Sequence, residues 1–129
     1  MKIQLIIPVL VLLLSTFMTL EAQNKTEVNS KEVSSMLQKD SKLIVLDVRT
    51  PDEFKEGHIK GALNIDIHES DAFNKIDKLK RNATYIVYCR TNHRSGMAVD
   101  HMMKSGFRNI YQMMDGFPGW AANKLPVQK

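Results

Sequence analysis

Two unbroken apolar runs constrain what this chain can fold into: "KLIVLDVR", which ends its apolar stretch at Asp47, and "TYIVYC", which ends at Cys89. A strand with one face in water alternates polar and apolar residues. An unbroken run of β-branched, aliphatic and aromatic residues instead suits a strand covered on both faces, as in a parallel sheet. Parallel strands need crossovers, so helices are expected between the runs.

The intervening segments supply them. Asn29 with Glu32 three residues later resembles a capping box, and Val33, Met36 and Leu37 fall on one face, so a helix is expected over 30–38. Pro51 suits the first turn of a short helix in "PDEFKEG". "HIKGALNIDI" reads as a loop and a short strand, and "ESDAFNKIDKLK" as a helix with Phe73, Ile76 and Leu79 on one side. "SGMAVDHMMKSGF" reads as a helix closed by Gly106, "NIYQM" as a strand, and "DGFPGWAANKLP" as a turn and a short helix. This alternation predicts an α/β fold with a mainly parallel sheet and right-handed crossovers, whose ligands bind beyond the carboxyl ends of the strands.

The N-terminus differs in kind. Lys2 precedes an apolar stretch from Ile3 to Leu20, which reads as a signal peptide over residues 1–22 with cleavage after Ala22. The stretch is also long enough to serve as an uncleaved membrane anchor. Either reading exports residues 23–129, a single domain, to the periplasm or the medium. Of the whole chain, 43% is hydrophobic and 25% charged, the balance of a globular protein, with net charge +4. The densest basic group, Lys75, Lys78, Lys80 and Arg81, lacks interleaved aromatics and reads as a solvated helix end, which argues against nucleic-acid binding. The positive balance mildly favours anionic substrates.

Cys89 is the only cysteine, so an exported chain of this kind has no internal disulfide. The thiol is then an inert core residue, an intermolecular bridge, a metal ligand or a nucleophile. Arg90, Thr91, Asn92, His93, Arg94 and Ser95 follow it. If their backbone N–H groups curl inward at a helix N-terminus, they form an anion-binding nest that favours a thiolate, assisted by Arg90 and Arg94. Asn92 is the best non-glycine candidate for a positive φ in such a curl, and Gly96 leaves room at the helix start.

From about residue 28 to 128 the chain resembles the rhodanese-like domain family of single-domain sulfurtransferases. The resemblance rests on "LIVLDVRTPDEFKEGHIKGALNIDI", "YIVYCRTNHRS" and "GFRNIYQMMDGFPGWAANKLPV", in that order. It implies the rhodanese three-layer fold, with a central mainly parallel sheet flanked by helices, and Cys89 as the sulfur-carrying catalytic residue. The implied reaction moves a sulfane sulfur from thiosulfate or a persulfide to a thiol or cyanide through a Cys89 persulfide, with no metal or organic cofactor.

Residues Arg90 to Ser95 would bind the substrate. Their N–H groups would stabilise the anions; Arg90 and His93 would attract a donor; and Arg94 would do the same or pair with an acid. Asp47, Arg49 and Glu53 would support the site, with an ion pair expected between Arg49 and Glu53 four residues on. His58 is expected to make a structural hydrogen bond, and Phe117 and Trp120 to pack the last helix. Two positions depart from the common family pattern: Asn92 replaces a loop glycine, and Asp115-Gly116 replaces a glycine pair, with Asp115 able to adopt left-handed φ. A lone thiol in an oxidising compartment also implies a reducing partner protein, and the protein is expected to act as a monomer.

Three rival readings have weaker support. Phosphatases and arsenate reductases place five residues between Cys and Arg, whereas four stand here. A non-catalytic interaction module would commonly lack the cysteine. Metal binding through Cys89 and His93 has only two candidate ligands, and Met102, Met103, Met113 and Met114 read as core residues.

Overall fold

A computed structural model describes residues 24–129; the signal peptide or anchor expected over residues 1–22 lies outside the described residues. The elements run β1 (Asn24–Val28), α1 (Ser30–Lys39), β2 (Ile44–Asp47), α2 (Pro51–Glu56), β3 (His58–Ile59), β4 (Leu63–Asn64), α3 (Ala72–Asp77), β5 (Thr84–Tyr88), α4 (His93–Lys104), β6 (Asn109–Met113), α5 (Gly116–Ala122) and β7 (Val127–Gln128). Five strands form one sheet in the order β1-β6-β5-β2-β4, every neighbouring pair parallel. The short β3 and β7 pair antiparallel beside it.

The two apolar runs are the centre of that sheet. β5 lies between β2 and β6, in register Asp47↔Tyr88 and Val87↔Gln112. Alternate side chains enter two cores. Leu46, Tyr85 and Val87 meet Ala72 and Ile76 of α3 and Ala98, Val99 and Met102 of α4 on one face. Val45, Ile86 and Tyr88 meet Val33 of α1 and Trp120 of α5 on the other. The three-layer expectation therefore holds, and burial on both faces explains the unbroken apolar pattern.

Local signals act as expected at several ends. The Asn29 side chain accepts from the Glu32 N–H at 2.9 Å, Thr50 caps α2 ahead of Pro51, and Gly106 follows α4 at φ +90°. His58 Nδ1 lies 2.8 Å from the Phe54 carbonyl, with the two rings stacked. Met102 and Met113 are buried in separate cores on opposite faces of the sheet.

Other expectations are corrected. β1 and β7 were not anticipated, because "NKTEV" and "VQ" carry no apolar run. Phe73 leaves the α3 core face: it is 41% exposed and stacks on the His101 ring at 4.0 Å, while Ile76 fills the core. Asp115 is not left-handed (φ −83°); the positive φ of that turn belongs to Gly116 (+62°). The Asp115 carboxylate instead accepts from the N–H and hydroxyl of Ser30 at 2.9 and 2.6 Å, fastening the start of α1 to α5.

Candidate active site

β5 and α4 create the site between them. Cys89 directly follows β5 at the carboxyl edge of the sheet, and α4 begins at His93, so the connecting loop is only Arg90, Thr91 and Asn92. Its curl does not use the positive φ expected of Asn92, whose φ is −148°; among the described residues only Lys124 is a non-glycine at positive φ. Three hydrogen bonds to the Asn92 carbonyl hold the turn instead, from the Gly96 N–H and Gln112 Nε2, each at 2.9 Å, and from the Ser95 hydroxyl at 3.2 Å. Gly96 is not forced by crowding, since a Cβ there would meet Gln112 Nε2 at an ordinary 3.6 Å.

The Cys89 side chain is fully buried at the floor of this loop. Its Sγ accepts from the Ser95 N–H at 3.3 Å and lies 3.5 Å from Ser95 Oγ. Ser95 Oγ in turn accepts from Gln112 Nε2 at 3.0 Å. The N–H groups of Arg90 to Arg94 find no acceptor among the described residues. Five unpaired donors beside the start of a twelve-residue helix make a site for negative charge, because both the donors and the helix dipole favour an anion there.

Of the residues expected to bind substrate, Arg90, Thr91, Asn92 and His93 have exposed side chains, while Arg94 is half-buried and Ser95 buried. Arg94 makes a bidentate pair with Glu53 at 2.8 and 3.0 Å. The expected Arg49–Glu53 pair is thus replaced by two others, because Arg49 turns to Asp47. Hydrogen bonding to Arg94 holds the Glu53 carboxyl below the usual carboxylate range, against the opposing effect of burial, and the same bond raises Arg94.

Asp47 and Arg49 form a buried network under the site. Arg49 Nη2 donates to Asp47 Oδ2 and to the Gly57 carbonyl, both at 2.7 Å, and its Nε donates to Asp47 Oδ1 at 3.0 Å. Burial works against the Arg49 charge, but the bond to Asp47 and its negative charge outweigh it and raise the pKa. The Tyr88 hydroxyl donates to Asp47 Oδ2 at 2.6 Å and accepts from the Ile59 N–H. Burial, then the Asp47 charge, push that phenol far above its ordinary value. The Arg49 guanidinium lies 4.3 Å from the Phe117 ring centre, a cation–π contact.

α5 closes the site from the other side. The Phe117 N–H donates to the Cys89 carbonyl at 2.9 Å, and the Gly116 backbone packs so tightly that an added Cβ would lie 2.1 Å from the Arg90 oxygen. Phe117 and Pro118 also line a cleft of about 450 Å³ with Arg49, Glu53, Glu56 and Arg90. Phe117 packs against the core cluster that holds Trp120, as expected for both, and also lines this cleft.

The sequence reading missed Gln112, Tyr88 and the docking of Gly116. A signal for Gln112 was present: an amide inside a buried strand needs hydrogen-bond partners, and "NIYQM" places one there. Nothing local marks the partners of Tyr88 or Gly116, which lie far away in the chain.

A family model described as Rhodanese-like domain matches residues 29–123. A sulfurtransferase of Allochromatium vinosum is 27% identical over 78% of this chain and 92% of its own. A thiosulfate sulfurtransferase of Coxiella burnetii is 28% identical over 63% of this chain and 74% of its own. A rhodanese-related protein of Thermoplasma volcanium, solved by crystallography, superposes with a TM-score of 0.70 at 29% identity, over 80% of this chain and 97% of that one. Other relatives are longer, and of one the chain spans only 27%.

Proposed function

As the chain belongs to the rhodanese-like domain family, we propose that it is an exported sulfurtransferase that carries sulfane sulfur on Cys89. The observation that carries this reading is the only cysteine at the end of β5, its Sγ accepting from the Ser95 N–H, followed at the start of α4 by five backbone N–H groups that find no acceptor among the described residues. Relatives named as sulfurtransferases support it, and the apolar stretch before residue 23 supports export.

In the first half-reaction the Cys89 thiolate attacks the outer sulfur of a donor. With thiosulfate, the Sγ–S bond forms as the donor S–S bond breaks, and its electron pair leaves with sulfite. Cys89 then holds a persulfide anion, which the N–H groups of Arg90 to Arg94 stabilise, as preorganised donors do for a developing anion. In the second, an acceptor thiolate or cyanide attacks the outer sulfur, and the electron pair of the breaking bond returns to Sγ. The small cradle suits one sulfur atom, and Arg94, already held by Glu53, is not free to clamp a phosphoryl group. Since Sγ is buried, the atoms above it must give way to admit the donor.

The test is turnover of thiosulfate, and separately of an organic persulfide, with cyanide as acceptor and thiocyanate as the product measured. Wild-type protein is expected to turn over at least one donor and Cys89→Ser neither. Folded wild-type protein with a reduced thiol that transfers no sulfur from either donor would overturn the proposal.

A further inference from the structure

We infer that the cleft beside Cys89 recognises a small organic thiol bearing both an ammonium and a carboxylate group, the chemistry of cysteine. The inference rests on the proposed sulfur transfer for its role and adds the class of acceptor. Thiosulfate and cyanide each fill only a small part of about 450 Å³, a size ordinarily associated with organic ligands.

Four charged residues line the cleft: Arg49, Glu53, Glu56 and Arg90. Two are already engaged, Arg49 by Asp47 and Glu53 by Arg94. The other two, Arg90 and Glu56, enter no ion pair or hydrogen bond through their side chains among the described residues, with each other or with any other group. One positive and one negative group thus share a cleft without neutralising each other. A ligand carrying both charges satisfies them together, its carboxylate toward Arg90 and its ammonium toward Glu56. Phe117 and Pro118 supply apolar wall for a short carbon chain.

Glu56 owes its place to the fold. It is the last residue of α2, and Gly57 follows it with a backbone so close that a Cβ there would lie 3.4 Å from the Phe117 ring. Arg90 joins the cleft directly to the sulfur carrier, being the residue after Cys89. Once bound, the acceptor loses its thiol proton to solvent, and its sulfur attacks the outer sulfur of the Cys89 persulfide. A new S–S bond forms on the acceptor, the old one breaks, and the electron pair returns to Cys89.

The experiment uses ligands unable to react, so that binding is read apart from transfer. Wild-type protein, Glu56→Gln and Arg90→Gln are titrated by amide NMR with S-methylcysteine, 3-(methylthio)propionate, which lacks the ammonium, and 2-(methylthio)ethylamine, which lacks the carboxylate. S-methylcysteine is expected to shift the amides of Glu56, Arg90 and Phe117. Because exposed charge pairs are weak, each lost charge should lower affinity about threefold to fivefold. Glu56→Gln should erase the advantage of S-methylcysteine over the propionate, and Arg90→Gln its advantage over the amine. Equal affinities for the three ligands in wild-type protein, or no shift at these amides, would overturn the inference. Binding as expected in a protein that transfers no sulfur would uphold the cleft and overturn the function proposed above.

Discussion

Gly116→Ala tests how the Cys89 loop is held in place. Gly116 has φ +62°, where an L-residue costs about 1–2 kcal/mol. The added methyl would lie 2.1 Å from the Arg90 oxygen and 2.5 Å from its carbonyl carbon, against an ordinary contact of 3.4–4 Å, so the two backbones must part by about 1 Å. That movement stretches the 2.9 Å bond from the Phe117 N–H to the Cys89 carbonyl beyond useful length, a further loss of about 1 kcal/mol. The combined cost is roughly 3 kcal/mol, a drop in Tm of about 10–20 °C for a domain of this size. Because Cys89 lies next to the displaced carbonyl, sulfur loading should also slow about 100-fold, the usual effect of a 1 Å misplacement. Urea unfolding and time-resolved intact mass measure the two effects. Gly61→Ala is the control: it shares a positive φ (+81°), but nothing lies within 4 Å of its added Cβ, so it should lose only about 1 kcal/mol and load normally. A Gly116→Ala protein as stable as Gly61→Ala and equally quick to load would refute the packing argument.

Three further outcomes follow from the network. Asp47→Asn leaves the buried Arg49 charge unpaired and should cost about 3–5 kcal/mol in urea unfolding. Gln112→Leu removes the bonds to the Asn92 carbonyl and Ser95 Oγ, which should cost about 1–2 kcal/mol and slow sulfur loading about tenfold. Glu53 has its pKa lowered by Arg94, so its contribution is present in full above the unfolded value of about 4.3 and is lost as pH falls through the lower folded value. Since the pair is partly exposed, Glu53→Gln should lower stability by only about 0.5–1 kcal/mol at pH 6, and urea midpoints should show that gap closing below pH ~4.

How far the sequence was legible depended on how local each signal was. The central strands β2 and β5 could be read because burial on both faces leaves an unbroken apolar pattern. The start of α1 was legible because Asn29 caps a residue three positions on. β1 was not, since "NKTEV" is a polar edge strand that follows only from its pairing with β6. At the site, the position of Cys89 between a strand and a helix was legible, as was the nearness of Asp47, Arg49 and Glu53 to that edge of the sheet. The pairing of those supports was not: helix spacing suggested Arg49 with Glu53, whereas Arg49 turned to Asp47 and Glu53 to Arg94, 41 residues away. Propensity makes Asn92 the best non-glycine candidate for a left-handed φ, whereas its φ is −148° and its carbonyl accepts from Gly96, Ser95 and the distant Gln112. The departure at Asp115 likewise found its reason in Ser30, 85 residues earlier.

The most direct test of sulfur carriage is the intact mass of the protein after exposure to thiosulfate or polysulfide, beside Cys89→Ser treated alike. The wild type should gain one sulfur atom and the variant none, and cyanide or a thiol should remove that sulfur. No gain in folded protein with its thiol reduced, or an equal gain in Cys89→Ser, would contradict sulfur carriage on Cys89.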